Sequence, residues 1–252
     1  MRIAVDPVVR RGLRETEGAL HVLVHGCVRR GRAAARAYAA PVIVVAEGPS
    51  AAGKTTWCRT HTNEFVAEYT PTGAEPGVHD PAAAEFWLSV NCHRWAQAVE
   101  LEGAVGAAVC DGDPLKLHYS WCLQRVGLAS MTRFQQEVAG VRRAFAEERL
   151  GLADLILVSI PPPPQLRDRR NGDSTRRRRS FEVNVRLGPA LQEWYQAVDD
   201  LEPGRVRWDL PPSGVPGPLL RVRGNRCDPR LIDALVEALP DGHPAGDDQG
   251  LH

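Results

Sequence analysis

Apolar positions along the chain fall into short continuous runs set between longer segments of mixed character. Val42-Ile43-Val44-Val45-Ala46 is the first run; residues 104–110 and 153–160 repeat the pattern. Runs this short and this apolar predict strands buried on both faces. Residues 64–69, with Phe65-Val66-Ala67 between two glutamates, and residues 205–210, which alternate polar and apolar positions, read as two further strands. Helical stretches lie between them. One is expected at about 53–62. A long one follows at 81–102, with Asp80 as N-cap, Pro81 in the first turn and Phe86, Val90, Trp95 and Val99 inward. Others are expected at 115–126, 131–149, 181–198 and 228–239, the last capped by Asp228. Residues 165–180 read as a basic loop. Alternating strands and helices predict an α/β fold of three layers, a five-stranded parallel sheet with helices on both faces. Right-handed crossovers then gather the strand C-termini on one edge, where chemistry is expected.

Leu13, Leu20, Val24 and Cys27 recur at helical spacing, so residues 1–40 are expected to form an N-terminal helical extension. Residues 41–240 make the main domain, and residues 241–252 a frayed polar tail.

The first strand runs into Glu47-Gly48-Pro49-Ser50-Ala51-Ala52-Gly53-Lys54-Thr55-Thr56, which fits G-x-x-x-x-G-K-[ST]. A strand before it and a helix after it are the context this motif needs. Glycines let the backbone curl so that N–H groups face phosphate oxygens. The helix start aims its positive end at the same anion. Gly48, Ser50, Ala51, Ala52, Gly53, Lys54, Thr55 and Thr56 are therefore the expected nucleotide-binding set. Lys54 would neutralise the β- and γ-phosphates, and the Thr55 hydroxyl would ligate Mg²⁺.

These residues resemble the phosphate loop of P-loop NTPases, most closely the nucleoside and nucleotide kinase branch that includes the deoxynucleoside and thymidylate kinases. The resemblance implies ATP and Mg²⁺ as donor, a nucleoside or nucleotide acceptor and an arginine-rich lid. Asp111 ends the third strand and is the expected metal acid, with Asp113 as a second metal or acceptor ligand, or as the cap of the turn after Pro114. Glu68, at the end of the second strand, is either the acceptor-side base or an exposed strand glutamate. Seven arginines crowd residues 167–179, which is where the resemblance puts a lid at about 165–180. Arg169 is assigned to the nucleotide and Arg177 to catalysis; a solvated loop or a contact with nucleic acid backbone are the alternatives. Trp87, Asn91 and Arg94 share a helix face that could hold an acceptor or simply pack in the core. One departure matters: such kinases carry an arginine after the strand-end acid, and here Gly112 follows Asp111. The acceptor is thus expected to be nucleoside-like or a natural product.

Composition changes this picture little. The 252 residues are 43% hydrophobic and carry zero formal net charge, so no overall field draws the chain to nucleic acid or an anionic membrane. No apolar run spans a bilayer and the first residues lack a signal-peptide core, so a cytoplasmic protein is expected, with a homodimer left open. Six cysteines form no C-x-x-C pair, and reduced thiols are expected. No N-K-x-D guanine motif is present, which favours ATP. A nucleotide-binding switch and a polynucleotide 5′-kinase are the competing functions.

Overall fold

The computed structural model describes residues 41–77, 80, 82–173, 180–215, 217 and 221–240. Four strands form one parallel sheet: β1 Val42–Glu47, β2 Ala107–Asp111, β3 Leu155–Val158 and β4 Val206–Arg207. The helices are α1 Lys54–His61, α2 Ala83–Val105, α3 Leu117–Arg125, α4 Met131–Ala146, α5 Pro163–Asn171, α6 Phe181–Arg186, α7 Gly188–Leu201 and α8 Pro229–Ala238. Strand order is β2-β1-β3-β4. Val42 to Ala46 pair with Ala107 to Asp111, and Val44 to Glu47 pair with Leu155 to Val158. The chain leaves β1 toward one neighbour and leaves β3 toward the other side. The crevice beyond the ends of β1 and β3 is therefore the switch point where ligands of such sheets bind.

Both faces of the sheet are covered, which is why every residue of β1, β2 and β3 is buried. Ile43, Val45, Cys110 and Ile156 point into the larger core, against Trp95 of α2, Phe145 of α4, Trp194 of α7 and Ile232 of α8. Val44, Val109 and Leu157 point the other way, onto Trp57 and Cys58 of α1. Five described cysteines are unpaired thiols, and four of them are buried, so they serve as packing rather than cross-links.

Among the described residues the expected five strands become four. Of residues 64–69, only Val66 pairs, through one parallel bridge to Cys110. Just beyond it the Arg94 guanidinium takes the Ala67 carbonyl at 3.0 Å, so a side chain replaces the ladder. Residues 104 and 105 belong to α2, which runs on to Gly106; that glycine ends it in a left-handed turn, φ 81°, donating to Glu102 O. The expected loop at 165–180 begins as a helix, because Pro163 and Pro164 fit a first turn and Leu166 buries itself. The 181–198 helix divides at Leu187 into α6 and α7, with Pro189 in the first turn of α7. Asp228 caps α8 as expected, accepting from Arg230 N at 2.9 Å. The expectations for residues 1–40, 241–252 and 174–179, including the outer part of the lid, lie outside the described residues.

The sheet edge opposite the crevice is tied by charge. Asp154 accepts from Ile43 N and Arg223 N, each at 2.8 Å, and from the Arg226 guanidinium, which also grips Glu102. Removing that buried carboxylate strands two backbone donors and an arginine. Asp154→Ala is expected to lower unfolding stability by about 3 kcal/mol, with Asp154→Asn losing less, as read by urea denaturation.

Candidate functional site

The turn after β1 is set by close packing. A Cβ on Gly48 would sit 2.1 Å from Ser159 O at the end of β3, so only glycine fits there. Ala51 and Gly53 take left-handed backbone, φ 71° and 102°, and Ala52 N donates back to Pro49 O at 3.1 Å. Helix α1 starts at Lys54, so the amides of its first turn lack intrahelical acceptors and face the loop. Lys54 is buried and curls over the turn; its Nζ donates to Gly48 O at 2.6 Å. Arg169 on α5 reaches across and donates to Ala52 O at 2.9 Å. Arg167 and Arg170 instead face Glu182 on α6, and Arg170 stacks over Phe181. Arg177 lies outside the described residues.

Thr55 and Asp111 meet. The Thr55 hydroxyl donates to Asp111 Oδ2 at 2.6 Å. The other oxygen, Oδ1, is buried without a hydrogen-bond partner. A carboxylate oxygen left so carries a desolvation cost, and burial raises the Asp111 pKa above its ordinary value although the Thr55 hydrogen bond opposes it. The donor set, one hydroxyl and one hard carboxylate oxygen, suits Mg²⁺. Among the described residues no group of three or more His, Cys, Asp or Glu could hold a metal by itself, so phosphate oxygens would complete its shell.

Asp113 is placed differently. It is fully buried, accepts from Leu115 N at 2.9 Å and from the Tyr195 hydroxyl at 3.1 Å, and so caps the turn after Pro114 rather than facing the metal pair. Burial pushes its pKa up to about 6.

The residue that organises the site is one the sequence reading passed over. Glu47, the last residue of β1, is buried and accepts from Gly48 N and Asp113 N, both at 2.7 Å. Lys54 Nζ lies 3.9 Å from one oxygen; Lys116 Nζ lies 3.8 Å and His118 Nε2 3.5 Å from the other. Burial alone would raise its pKa, but Lys116, His118 and Lys54 together hold it well below the usual range. Its only signal in the sequence is an acid closing an otherwise apolar strand.

Lys116 also contacts Glu68, Nζ to Oε1 at 3.1 Å. Desolvation pushes the Glu68 carboxyl up, while Lys116 and Lys54 outweigh this and leave it below the ordinary value. Lys116 holds left-handed backbone, φ 49°, which costs a non-glycine residue about 1–2 kcal/mol. A half-exposed pair such as Lys116–Glu68 contributes at most about 1 kcal/mol. The same ammonium faces the buried Glu47 at 3.8 Å, so Lys116 serves that carboxylate as well as Glu68. No local pattern in the sequence announces it, because it stands five residues past Asp111 in a backbone state that sequence favours only for Gly, Asn and Asp.

Arg94, expected on an acceptor face or in the core, is buried and donates to Ala67 O, Asp111 O and Gly112 O at 3.0, 2.9 and 2.7 Å. It thereby fixes the Glu68 segment beside the end of β2. Trp87 and Asn91 do open on a small cleft of about 70 Å³ among α2, α3 and α4, which Lys116, Gln136 and Arg143 also line. Trp87 packs edge-on against Tyr69, the neighbour of Glu68, at 5.4 Å.

No protein-family model matches the sequence, and no curated protein matches it closely enough to count as a relative. Among solved structures the fold is similar to deoxyadenosine kinase from M. mycoides. With dATP bound, that structure gives a TM-score of 0.42 at 12% identity, over 67% of this chain and 91% of that one. With the products dCMP and a flexible dCDP the values are 0.44 and 13%, over 78% and 98%. With dCTP they are 0.40 and 13%, over 78% and 98%. The functional reading below is carried by side-chain geometry alone. No described helix is long and apolar enough to cross a membrane.

His118 supplies a test of the buried network. Burial lowers its pKa to about 4 despite the nearby Glu47, so it is neutral when folded. The unfolded chain binds the proton more readily, so stability falls as pH drops from about 6.5 through about 4. The loss approaches roughly 3 kcal/mol for the whole shift. In His118→Gln that part of the pH dependence of urea denaturation is expected to vanish.

Proposed function

We propose that the protein is an ATP-dependent kinase that moves the γ-phosphoryl group to a small, nucleoside-like acceptor. The observation that carries this reading is the 2.6 Å contact of Thr55 with Asp111, whose second oxygen is buried and unpartnered, directly behind a glycine-shaped strand-to-helix turn. A turn that served only as a connection would have no use for such an arrangement.

The turn amides and the start of α1 receive the β- and γ-phosphates, and Lys54 exchanges Gly48 O for phosphate oxygen. Thr55 and Asp111 would hold Mg²⁺, which would supply charge neutralisation to the transferring phosphates. Arg169 adds a guanidinium at the loop rim. Arg177 belongs to the lid of this reading. The acceptor lies in the cleft beside Trp87 and Asn91, with its reactive oxygen toward Glu68. That oxygen forms the new bond to the γ-phosphorus, the bond to the β-phosphate oxygen breaks, and the acceptor proton passes to the Glu68 carboxylate. A carboxylate held below its ordinary pKa is a weak base. In a loose transition state the proton leaves late, so Glu68 acts chiefly by orienting the acceptor.

Mixing the protein with ATP, Mg²⁺ and a panel of nucleosides, nucleotides and hydroxylated natural products is expected to release ADP only with a competent acceptor. Lys54→Ala should lower that rate by at least about a hundredfold while the circular dichroism spectrum is unchanged. Slow ADP release that ignores every acceptor would point instead to a nucleotide-binding switch, and full activity of Lys54→Ala would end the kinase reading.

A further inference from the structure

We propose that Lys116 is a second catalytic cation, whose ammonium meets the transferred phosphoryl group from the acceptor side while Lys54 meets it from the loop side, and that Glu47 is the positioning residue that aims both. This deepens the kinase reading and rests on it.

Three observations converge. First, one buried carboxylate holds both ammonium groups, Lys54 at 3.9 Å on one oxygen and Lys116 at 3.8 Å on the other. The two cations are thus no farther apart than one carboxylate and two contacts, on either side of the end of β1. A polyphosphate seated in the turn puts its terminal group between them. Second, Lys116 is a wall of the cleft that also shows Trp87 and Asn91, so its ammonium belongs to both the phosphate site and the acceptor cleft. Its side chain is 26% exposed, which leaves it reachable from that cleft. Third, the room for it is built in. A Cβ on Gly112 would stand 3.3 Å from Lys116 Nζ and 3.5 Å from Glu68 Oε1.

The backbone is shaped to deliver it. Asp113 holds Leu115 N, Tyr119 N closes a turn onto Lys116 O at 2.9 Å, and Lys116 itself occupies the left-handed state. A lysine kept in a strained conformation beside two carboxylates, at the meeting point of two subsites, is placed for charge development rather than for packing.

The test needs no known acceptor. ADP with aluminium fluoride mimics the transferring phosphoryl group, and its binding is compared with that of ADP alone by calorimetry on the full chain with Mg²⁺. The wild type is expected to bind the aluminium fluoride complex at least about tenfold more tightly than ADP. Lys116→Asn, which suits left-handed backbone and so preserves the fold, should keep ADP affinity within about twofold and lose the tenfold gain. Lys116→Arg should retain most of it. A Lys116→Asn protein that keeps the gain overturns the proposal, as does a wild type without one. Equal loss of ADP and aluminium fluoride binding in both variants assigns Lys116 a structural role and also overturns it. Failure of the wild type to bind ADP at all removes the phosphate-loop reading, and this one with it.

Discussion

A single buried carboxylate, Glu47, joins the elements of the site. It stands where β1 ends, and its two oxygens take the amides of Gly48, the first residue of the turn, and of Asp113, two residues past the end of β2. Lys54 converges on it from the start of α1, and Lys116 and His118 from the start of α3. Burying a carboxylate among apolar strands is costly unless its lone pairs are filled. Here they are filled by two amides and shared by two ammonium groups. The turn, the β2 exit and the start of α3 are therefore fixed relative to one another by one group's need for partners.

Arg94 performs the complementary task from α2. Its guanidinium holds four carbonyls, at Ala67, Asp111, Gly112 and Asp113, so the Glu68 segment stays beside the β2 exit without a full strand ladder. Glu47 and Arg94 together explain how a short four-stranded sheet presents a hydroxyl, a carboxylate pair and two lysines to one crevice. The charges at the far edge, around Asp154, balance among themselves and have no part in that crevice.

Much of this was legible in the sequence, and the limits have physical causes. Runs at 42–46, 104–110 and 153–160 were visible because strands buried on both faces must be apolar, although the last two overran the strands that form. The phosphate turn was visible because close approach to Ser159 and left-handed backbone demand glycine at fixed spacing. Thr55 and Asp111 followed from the motif and from the strand end. Glu64 to Tyr69 misled because the apolar run Phe65-Val66-Ala67 suits a short strand, whereas a side chain from α2 captures the Ala67 carbonyl. Asp113 was ambiguous because a cap and a ligand use the same residue type. Glu47, Lys116 and the tie made by Arg94 were hidden because each acts through contacts between segments 17 to 71 residues apart, which no local pattern encodes.

The account as a whole stands on the claim that the turn after β1 grips a polyphosphate whose metal is held by Thr55 and Asp111. Calorimetric titration of ATP into the wild type and into Asp111→Asn, each with and without Mg²⁺, tests it most directly. The account predicts tighter binding with Mg²⁺ in the wild type, and in Asp111→Asn the same metal-free affinity with the Mg²⁺ enhancement lost. Equal Mg²⁺ enhancement in both proteins, or no ATP binding to the wild type, would contradict it.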